Sequence, residues 1–265
     1  MKRLFFMFAG LALLMSGCAA KQAPKDFTAF RSADPHSILV VPVINRSAEV
    51  EAADLFLSTL SVPLAERGFY VFPVNMTKSI MESDGLGDAN LVHGADTTRL
   101  AELFGADSVL YVEILNWESQ YAITAANINV EFVYTLKDGQ TGELLWQEQQ
   151  AMQYSRSGSG GGLLANLIAT AITSAIDSTR SDFTPVAQQA NAVALLTPGL
   201  GLPSGPYSPN YGKDEATFPS TGTGYISDAT IATVAYPIIP APPPDAADAK
   251  ASEASGGEDA GSSAN

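Results

Sequence analysis

The sequence has 265 residues, of which 46% are hydrophobic, a formal net charge of −14 and a single cysteine. This length and composition suffice for one domain with a hydrophobic core plus extensions, and one cysteine excludes an intramolecular disulfide. The acidic balance also disfavours binding to the phosphates of nucleic acids.

The first residues have the pattern of a bacterial lipoprotein export signal. Two basic residues precede an apolar run over residues 4–14, which is shorter than the roughly 20 residues that a bilayer-spanning helix needs. Two small residues stand directly before Cys18, so a peptidase can approach the bond that precedes the cysteine. We therefore predict that residues 1–17 are removed as a signal peptide and that Cys18 carries a covalent lipid, and we expect no other cofactor.

The start and the composition of the mature chain predict its location and its parts. Ala19 follows Cys18 in place of an aspartate, which resembles the lipoproteins sorted to the outer membrane, so we expect a lipid-anchored domain that faces the periplasm. Loss of the two basic residues of the signal changes the formal charge from −14 to −16. The predicted parts are a lipidated tether at 18–36, an α/β domain at 37–212 and an acidic tail at 213–265. The tail is rich in Pro, Ala, Gly and Ser and is expected to be disordered at least beyond residue 240.

The predicted domain begins with a β-α-β unit. Residues 38–43 form a continuous apolar run of strand length, which is typical of a strand buried on both faces. Apolar residues then recur at helical spacing over 53–65, where Pro63 predicts a kink or a split, and Gly68 supplies the end of the helix. A second apolar run follows at 69–74, and the length of the connection predicts parallel strands.

Two further helices are predicted after the β-α-β unit. One is short, over residues 76–81, and the other runs over 97–104 between an amino-terminal cap at Asp96 and a stop at Gly105. We place both histidines of the chain, His36 and His93, in loops.

The pattern then changes from mixed helices and strands to strands alone. A third strand is predicted at 108–114, and alternation of apolar with other residues predicts strands at 128–134 and from 144 onward, joined by a turn. The residues therefore predict an α/β fold whose mixed sheet starts with the β-α-β unit and is extended by an antiparallel hairpin.

A glycine-rich stretch at 158–162 is followed by an apolar helix predicted over 163–176. The stretch lacks the Gly-Lys-Ser/Thr sequence of phosphate-binding loops, so a flexible hinge is favoured over a nucleotide site. The apolar positions of the helix exceed one narrow stripe, which leaves two interpretations open: a core helix, or the interface of a homodimer. The candidate interface residues are Leu164, Leu167, Ile168, Ala171, Ile172 and Ala175. A last helix is predicted over 186–196, with Pro185 at its start.

Four segments carry a resemblance to a known family: residues 41–50, 58–74, 106–111 and 202–209. They resemble a family of Gram-negative outer-membrane lipoproteins of unassigned activity, over about residues 38–212. Its members are similar to the periplasmic domain shared by the curli-secretion channel lipoprotein, the amino-terminal domain of the Tol translocation protein and auxiliary lipoproteins of ABC-type transport systems. The resemblance implies a three-layer α/β sandwich and a protein-binding role in envelope transport. The chain departs from the family in its long acidic tail.

The residues give no support to an enzyme. Ser159 lacks the Gly-x-Ser-x-Gly spacing and the strand-to-helix turn of a hydrolase nucleophile. No cluster of His, Cys, Asp and Glu has metal-ligand spacing, because the sole thiol is the predicted lipid acceptor. We therefore expect no catalytic residue and no metal site.

Two functions from different classes remain open. One is an accessory protein of an envelope transport or secretion assembly, which is tethered to the outer membrane and binds protein partners. The other is a periplasmic carrier that holds an apolar ligand such as lipid between its sheet and its helices, with the helix at 163–176 as a lid. Lipid that co-purifies with the domain would favour the carrier.

Overall fold

The computed structural model describes residues 25–122, 125–155, 183–222, 224 and 227–235. The helices are α1 (Thr28–Ala33), α2 (Ala52–Glu66), α3 (Val74–Ser83), α4 (Ala89–Gly94), α5 (Thr97–Phe104) and α6 (Thr184–Leu196). The strands are β1 (Ser37–Val40), β2 (Ile44–Asn45), β3 (Tyr70–Val71), β4 (Ser108–Ala122), β5 (Ala125–Asp138), β6 (Leu144–Ser155) and β7 (Ser227–Ala235).

The described strands form one mixed sheet in the order β3-β1-β4-β5-β6-β7, with β2 beside β4. β1 is parallel to both β3 and β4, which confirms the predicted β-α-β unit. β5 is antiparallel to β4 and to β6, which confirms the predicted hairpin and adds a second, longer one. β7 returns parallel to β6 at the far edge.

Helices cover both faces of the sheet, as a three-layer sandwich requires. The larger core lies between the sheet and α1, α2 and α6, and it includes Phe27, Phe56 and Trp146. A smaller core lies on the opposite face under α4 and α5, and it includes Leu39 and Val92. Because Ile38 and Val40 belong to the larger core and Leu39 to the smaller one, β1 is buried on both faces as predicted.

The central strand β5 is fully buried on one face only. Every second side chain of β5 from Ile128 to Leu136 is buried against the larger core, whereas those between them are half-exposed. On that second face Gln149 Nε2 donates to Glu131 Oε1 at 2.7 Å. The period of two in the sequence of β5 therefore reflects a strand with one apolar side.

Local end signals predicted the helix boundaries well. Asp96 caps α5 by accepting a hydrogen bond from the Thr98 amide, and Gly105 ends it in the left-handed conformation with φ 69°. Gly68, with φ 89°, follows α2 as predicted. Of the two outcomes predicted for Pro63, the split is wrong, because α2 continues through this residue to Glu66; the kink stays a prediction. A proline so close to the end removes one backbone hydrogen bond, and the burial of the last turn holds the helix together.

Three strand predictions differ from the structure. The run predicted as a strand over 69–74 is one only at Tyr70–Val71, and Val74 already begins α3. The run predicted as one strand over 38–43 is a strand only to Val40, and a separate short strand, β2, follows it at Ile44–Asn45. Pro42 lies between the two strands and cannot donate to a ladder. The third strand, predicted to end at 114, runs on to Ala122 with an irregular register between Ile114 and Asn116. Helix α4, which contains His93, was not predicted.

Residues outside the predicted domain limits also pack into the core. Phe27 belongs to the segment predicted as tether and is fully buried, and Phe218 belongs to the segment predicted as tail and is nearly so. The helix predicted over 163–176 and the part of the tail beyond Ala235 lie outside the described residues.

Candidate functional site

Lys25 is the first described residue, and its amine lies inside the domain. Nζ forms an ion pair with the carboxylate of Glu148 on β6, and neither side chain has exposed surface. The amine also donates to the carbonyl oxygens of Gln147 and Leu200, each at 2.9 Å. The Trp146 ring centre lies 5.3 Å from Nζ, within the range of a cation–π contact. Removing a charged group from water costs free energy, and proteins bury such groups when they are paired and hydrogen-bonded, as Lys25 is.

Ion pairs, hydrogen bonds and an aromatic contact hold helix α1 against the segment at 214–222. The Arg31 guanidinium forms ion pairs with Asp214 at 2.9 Å and with Glu215 at 2.8 Å. It also donates to the carbonyl oxygen of Phe218, whose ring meets the edge of Phe27 at 5.2 Å between centres. The beginning of the folded domain and a segment almost 200 residues later therefore form one packed unit.

Asp214 links this unit to the preceding loop. Burial alone would raise the pKa of Asp214, but hydrogen bonds from Ser204 and Arg31 outweigh it and lower the pKa below its ordinary value. The Ser204 amide donates to Asp214 Oδ2 at 2.7 Å. A carboxyl group with a lowered folded-state pKa stabilises the fold above its unfolded pKa, and this contribution is lost as the pH falls through the folded value.

An open cleft of about 290 Å³ lies between α1 and the loop that begins at Leu202, and we call it the anchor-side cleft. It is lined by Phe30, Arg31, Asp34, Pro35, Phe69, Ser204, Gly205, Tyr211 and Gly212. The side chains combine aromatic surface with paired charges, which is the composition of binding surfaces.

Asp34 organises one wall of the anchor-side cleft. Among the described residues other than glycine it alone has a positive φ, at 44°, and it follows the last turn of α1. Its Oδ1 accepts a hydrogen bond from the Tyr211 hydroxyl at 2.6 Å, and its Oδ2 lies 3.6 Å from Nε2 of His36. The hydrogen bond to Asp34 raises the pKa of Tyr211, so this phenol remains a donor.

Two glycines allow the loop to approach the chain after α2. A Cβ on Gly68 would lie 2.4 Å from the Ser208 amide nitrogen, and one on Gly205 would lie 2.5 Å from the Gly68 carbonyl oxygen. The close approach is fixed by backbone hydrogen bonds from Gly205 to Arg67 at 2.7 Å and from Tyr207 to Gly68 at 3.0 Å. The segment at 202–209, which carries part of the family resemblance, thus contributes Ser204 and Gly205 to the lining of the anchor-side cleft.

We predict that Gly205→Ala destabilises the domain by about 1–3 kcal/mol, because the added methyl group overpacks this contact. The change is measurable as a lower urea midpoint. Gly94→Ala is the matched control, since a Cβ there meets nothing within 4 Å. Equal midpoints for the two variants would show that the loop moves away without cost.

The histidines do not form a catalytic arrangement in the structure. His93 lies in α4, with Nε2 3.0 Å from the Pro42 carbonyl oxygen and its ring against Tyr111. Burial lowers the pKa of His93, which favours the neutral ring. His36 contacts Asp34 at the rim of the anchor-side cleft. Within the described ranges, no three His, Cys, Asp or Glu side chains are grouped so that they could hold a metal ion.

The sequence-predicted site residues and the anchor-side cleft are different sets. Cys18 and the six candidate interface residues between Leu164 and Ala175 lie outside the described residues, so both predictions stay predictions. The same holds for the lid of the proposed carrier. Sequence reasoning missed Lys25, Asp34 and Tyr211, although the segment at 202–209 pointed to the neighbourhood of the cleft.

In the parts of the chain that the structure describes, no helix is both long and apolar enough to cross a membrane.

Comparison with known proteins gives a family match over most of the chain. Residues 25–207 match the model of the family described as "Putative lipoprotein GNA1162-like". A relative from Neisseria meningitidis serogroup B (strain ATCC BAA-335 / MC58), named "Putative lipoprotein NMB1124/NMB1162", is 31% identical over 195 residues. These cover 72% of this chain and 90% of the relative. The matched range begins at Lys25, the residue whose amine is buried beside Glu148.

Two solved structures are also similar to the chain. The crystal structure of lipoprotein GNA1162 from Neisseria meningitidis has 30% identity and a TM-score of 0.46, covering 54% of this chain and all of the other. The carboxyl-terminal domain of LpoB from Salmonella enterica has 23% identity and a TM-score of 0.32, covering 47% of this chain and 91% of that domain.

Proposed function

We propose, since the chain belongs to the GNA1162-like lipoprotein family, that it is a lipid-anchored accessory protein of the outer membrane that acts by binding other proteins. The membership confirms the family resemblance that four sequence segments indicated. Cys18 would carry the lipid, and the folded domain would face the periplasm as part of an envelope transport or secretion assembly.

The position of Lys25 carries the proposal. Its buried ion pair fixes the chain to β6 only seven positions after Cys18. A lipid on Cys18 would therefore hold the folded domain close to the membrane, and several acyl chains would make that attachment firm. A protein that supports a membrane-bound assembly gains from such a short link, because the link keeps the domain at a high local concentration beside its partners.

The anchor-side cleft supports protein binding. Tyr211 lines the cleft with Arg31 and exposes 41% of its surface. Tyr207, two residues after the lining residue Gly205, exposes 69%. Tyrosine and arginine are enriched at protein interfaces because they combine large contact areas with hydrogen bonding. The charge of −16 on the mature chain favours a partner whose contact surface is basic.

Cys18→Ser tests the anchor. The hydroxyl cannot accept the lipid, so we expect the outer-membrane fraction to lose at least about nine-tenths of the protein and labelling with palmitate to disappear. Ala20→Ser is the matched control, because it changes a neighbouring residue and keeps the thiol. A Cys18→Ser protein that still sediments with outer membranes after a high-salt wash would contradict the proposed anchor.

A further inference from the structure

We infer that the anchor-side cleft docks a protein that is held in the same membrane as the lipid on Cys18, and that the contact forms close to the membrane surface. The inference rests on the proposed lipid anchor. It adds a site and a class of partner, namely a membrane-held protein that presents a basic surface to the periplasm.

The length of chain before the folded domain sets the first limit. Six residues separate Cys18 from Lys25, and a fully extended chain spans at most about 3.6 Å per residue, or about 25 Å over seven steps. We call residues 19–24 the link. It cannot lengthen by unravelling of the folded domain, since Lys25 is held by Glu148 and by two carbonyl oxygens. The point at which the domain begins therefore stays within about 25 Å of the lipid headgroups.

The anchor-side cleft lies close along the chain to Lys25, where the folded domain begins. One wall comes from α1, which begins three residues after Lys25 and rises about 1.5 Å per residue. Phe30, Arg31 and Asp34 are thus within about 20 Å of the fixed lysine along the chain, since three extended steps are followed by at most six helical ones. This wall of the cleft is consequently within about 45 Å of the membrane in any orientation that the link allows. A partner held in that membrane meets it at high local concentration.

The chemistry of the rim selects the kind of surface that fits. Asp34, His36 and Tyr211 form a connected polar row. Tyr207, which stands two residues after the lining residue Gly205, exposes its ring outside the cleft. The Asp34 side chain keeps about half of its surface exposed, and the whole mature chain is acidic. A second copy of the chain would bring like charge to like charge, which disfavours it, whereas a basic surface is attracted.

The experiment changes the link and leaves the domain intact. Two spacers of 20 residues are inserted after Ala20: a Pro-rich spacer, which extends about 60 Å, and a Gly/Ser spacer, whose mean end-to-end distance is about 25 Å. Tyr207 is replaced by p-benzoyl-phenylalanine, and cross-linking is measured in living cells. We expect the Gly/Ser spacer to lower the yield by no more than about threefold and the Pro-rich spacer to lower it at least about tenfold.

The controls separate the inference from the proposed function. The same cross-linker at Leu91, which is 58% exposed on α4 of the opposite face, should not give this product. Equal yields with both spacers, an equal product from Leu91, or a cross-linked protein that is soluble in the periplasm would each overturn the inference while the anchor stands. Loss of all variants from the outer-membrane fraction would overturn the anchor itself, and the inference with it.

Discussion

Lys25→Met should destabilise the domain by about 3–5 kcal/mol, because it leaves a buried carboxylate without its partner. Methionine has nearly the length of lysine and keeps the packing against Trp146, so the loss is one of charge and hydrogen bonds. Glu148 has no exposed surface from which water could solvate it. Urea unfolding of the mature chain with serine at position 18 measures the change in free energy.

The double variant Lys25→Met/Glu148→Met distinguishes charge from packing. Replacement of both members of a buried ion pair by apolar residues is often neutral, so we expect it to recover most of the loss. Lys78→Met is the matched surface control, since Lys78 pairs with Asp54 at 2.6 Å where Asp54 is largely exposed. Its urea midpoint should hardly change. A double variant no more stable than the single one would assign the loss to the carbonyl oxygens of Gln147 and Leu200.

The buried ion pair would also couple the proposed anchor to the core of the domain. If Lys25 were exposed, the chain from Cys18 could extend further by peeling α1 from the sheet. With its amine inside, peeling requires that the Glu148 carboxylate lose its partner in the interior, which is costly. The proposed docking near the membrane depends on this fixed length.

Elements with local signals could be predicted from the sequence. The parallel unit of β1, α2 and β3 is encoded by apolar runs at strand and helix spacing, and the ends of α2 and α5 by Gly68, Asp96 and Gly105. The strand at β4 was predicted too short, since residues beyond 114 mix polar and apolar types. Their strand conformation depends on pairing with β5, which the local pattern of β4 alone does not encode.

The candidate site could not be predicted, because its residues meet through contacts that are distant in sequence. Lys25 and Glu148 are 123 residues apart, and each taken alone is typical of a solvated surface position. Arg31 and Asp214 are 183 residues apart, and Asp214 stands in a Pro- and Gly-rich stretch that indicated a tail. Composition identified that stretch as poor in apolar residues, but one phenylalanine, Phe218, is buried and packs the stretch against Phe27.

Truncation after Gly212 should therefore lower the free energy of unfolding by at least about 3–5 kcal/mol, the effect of removing one large buried aromatic side chain. The deletion removes Phe218, which packs on Phe27, and Asp214, which binds Arg31. For a domain of this size the loss corresponds to a fall of roughly 10 °C or more in the melting temperature. Circular dichroism of the mature chain measures it.

Truncation after Pro240 is the matched control, because it removes only residues beyond the described β7. We expect it to shift the melting temperature by no more than about 2 °C, as a surface change does. Phe218→Ala in the full chain then isolates the aromatic contact, and it should reproduce most of the loss caused by truncation after Gly212. Equal melting temperatures for the two truncated chains would contradict this account, since they would show that the segment at 214–222 contributes nothing to the core and that α1 holds its place without it.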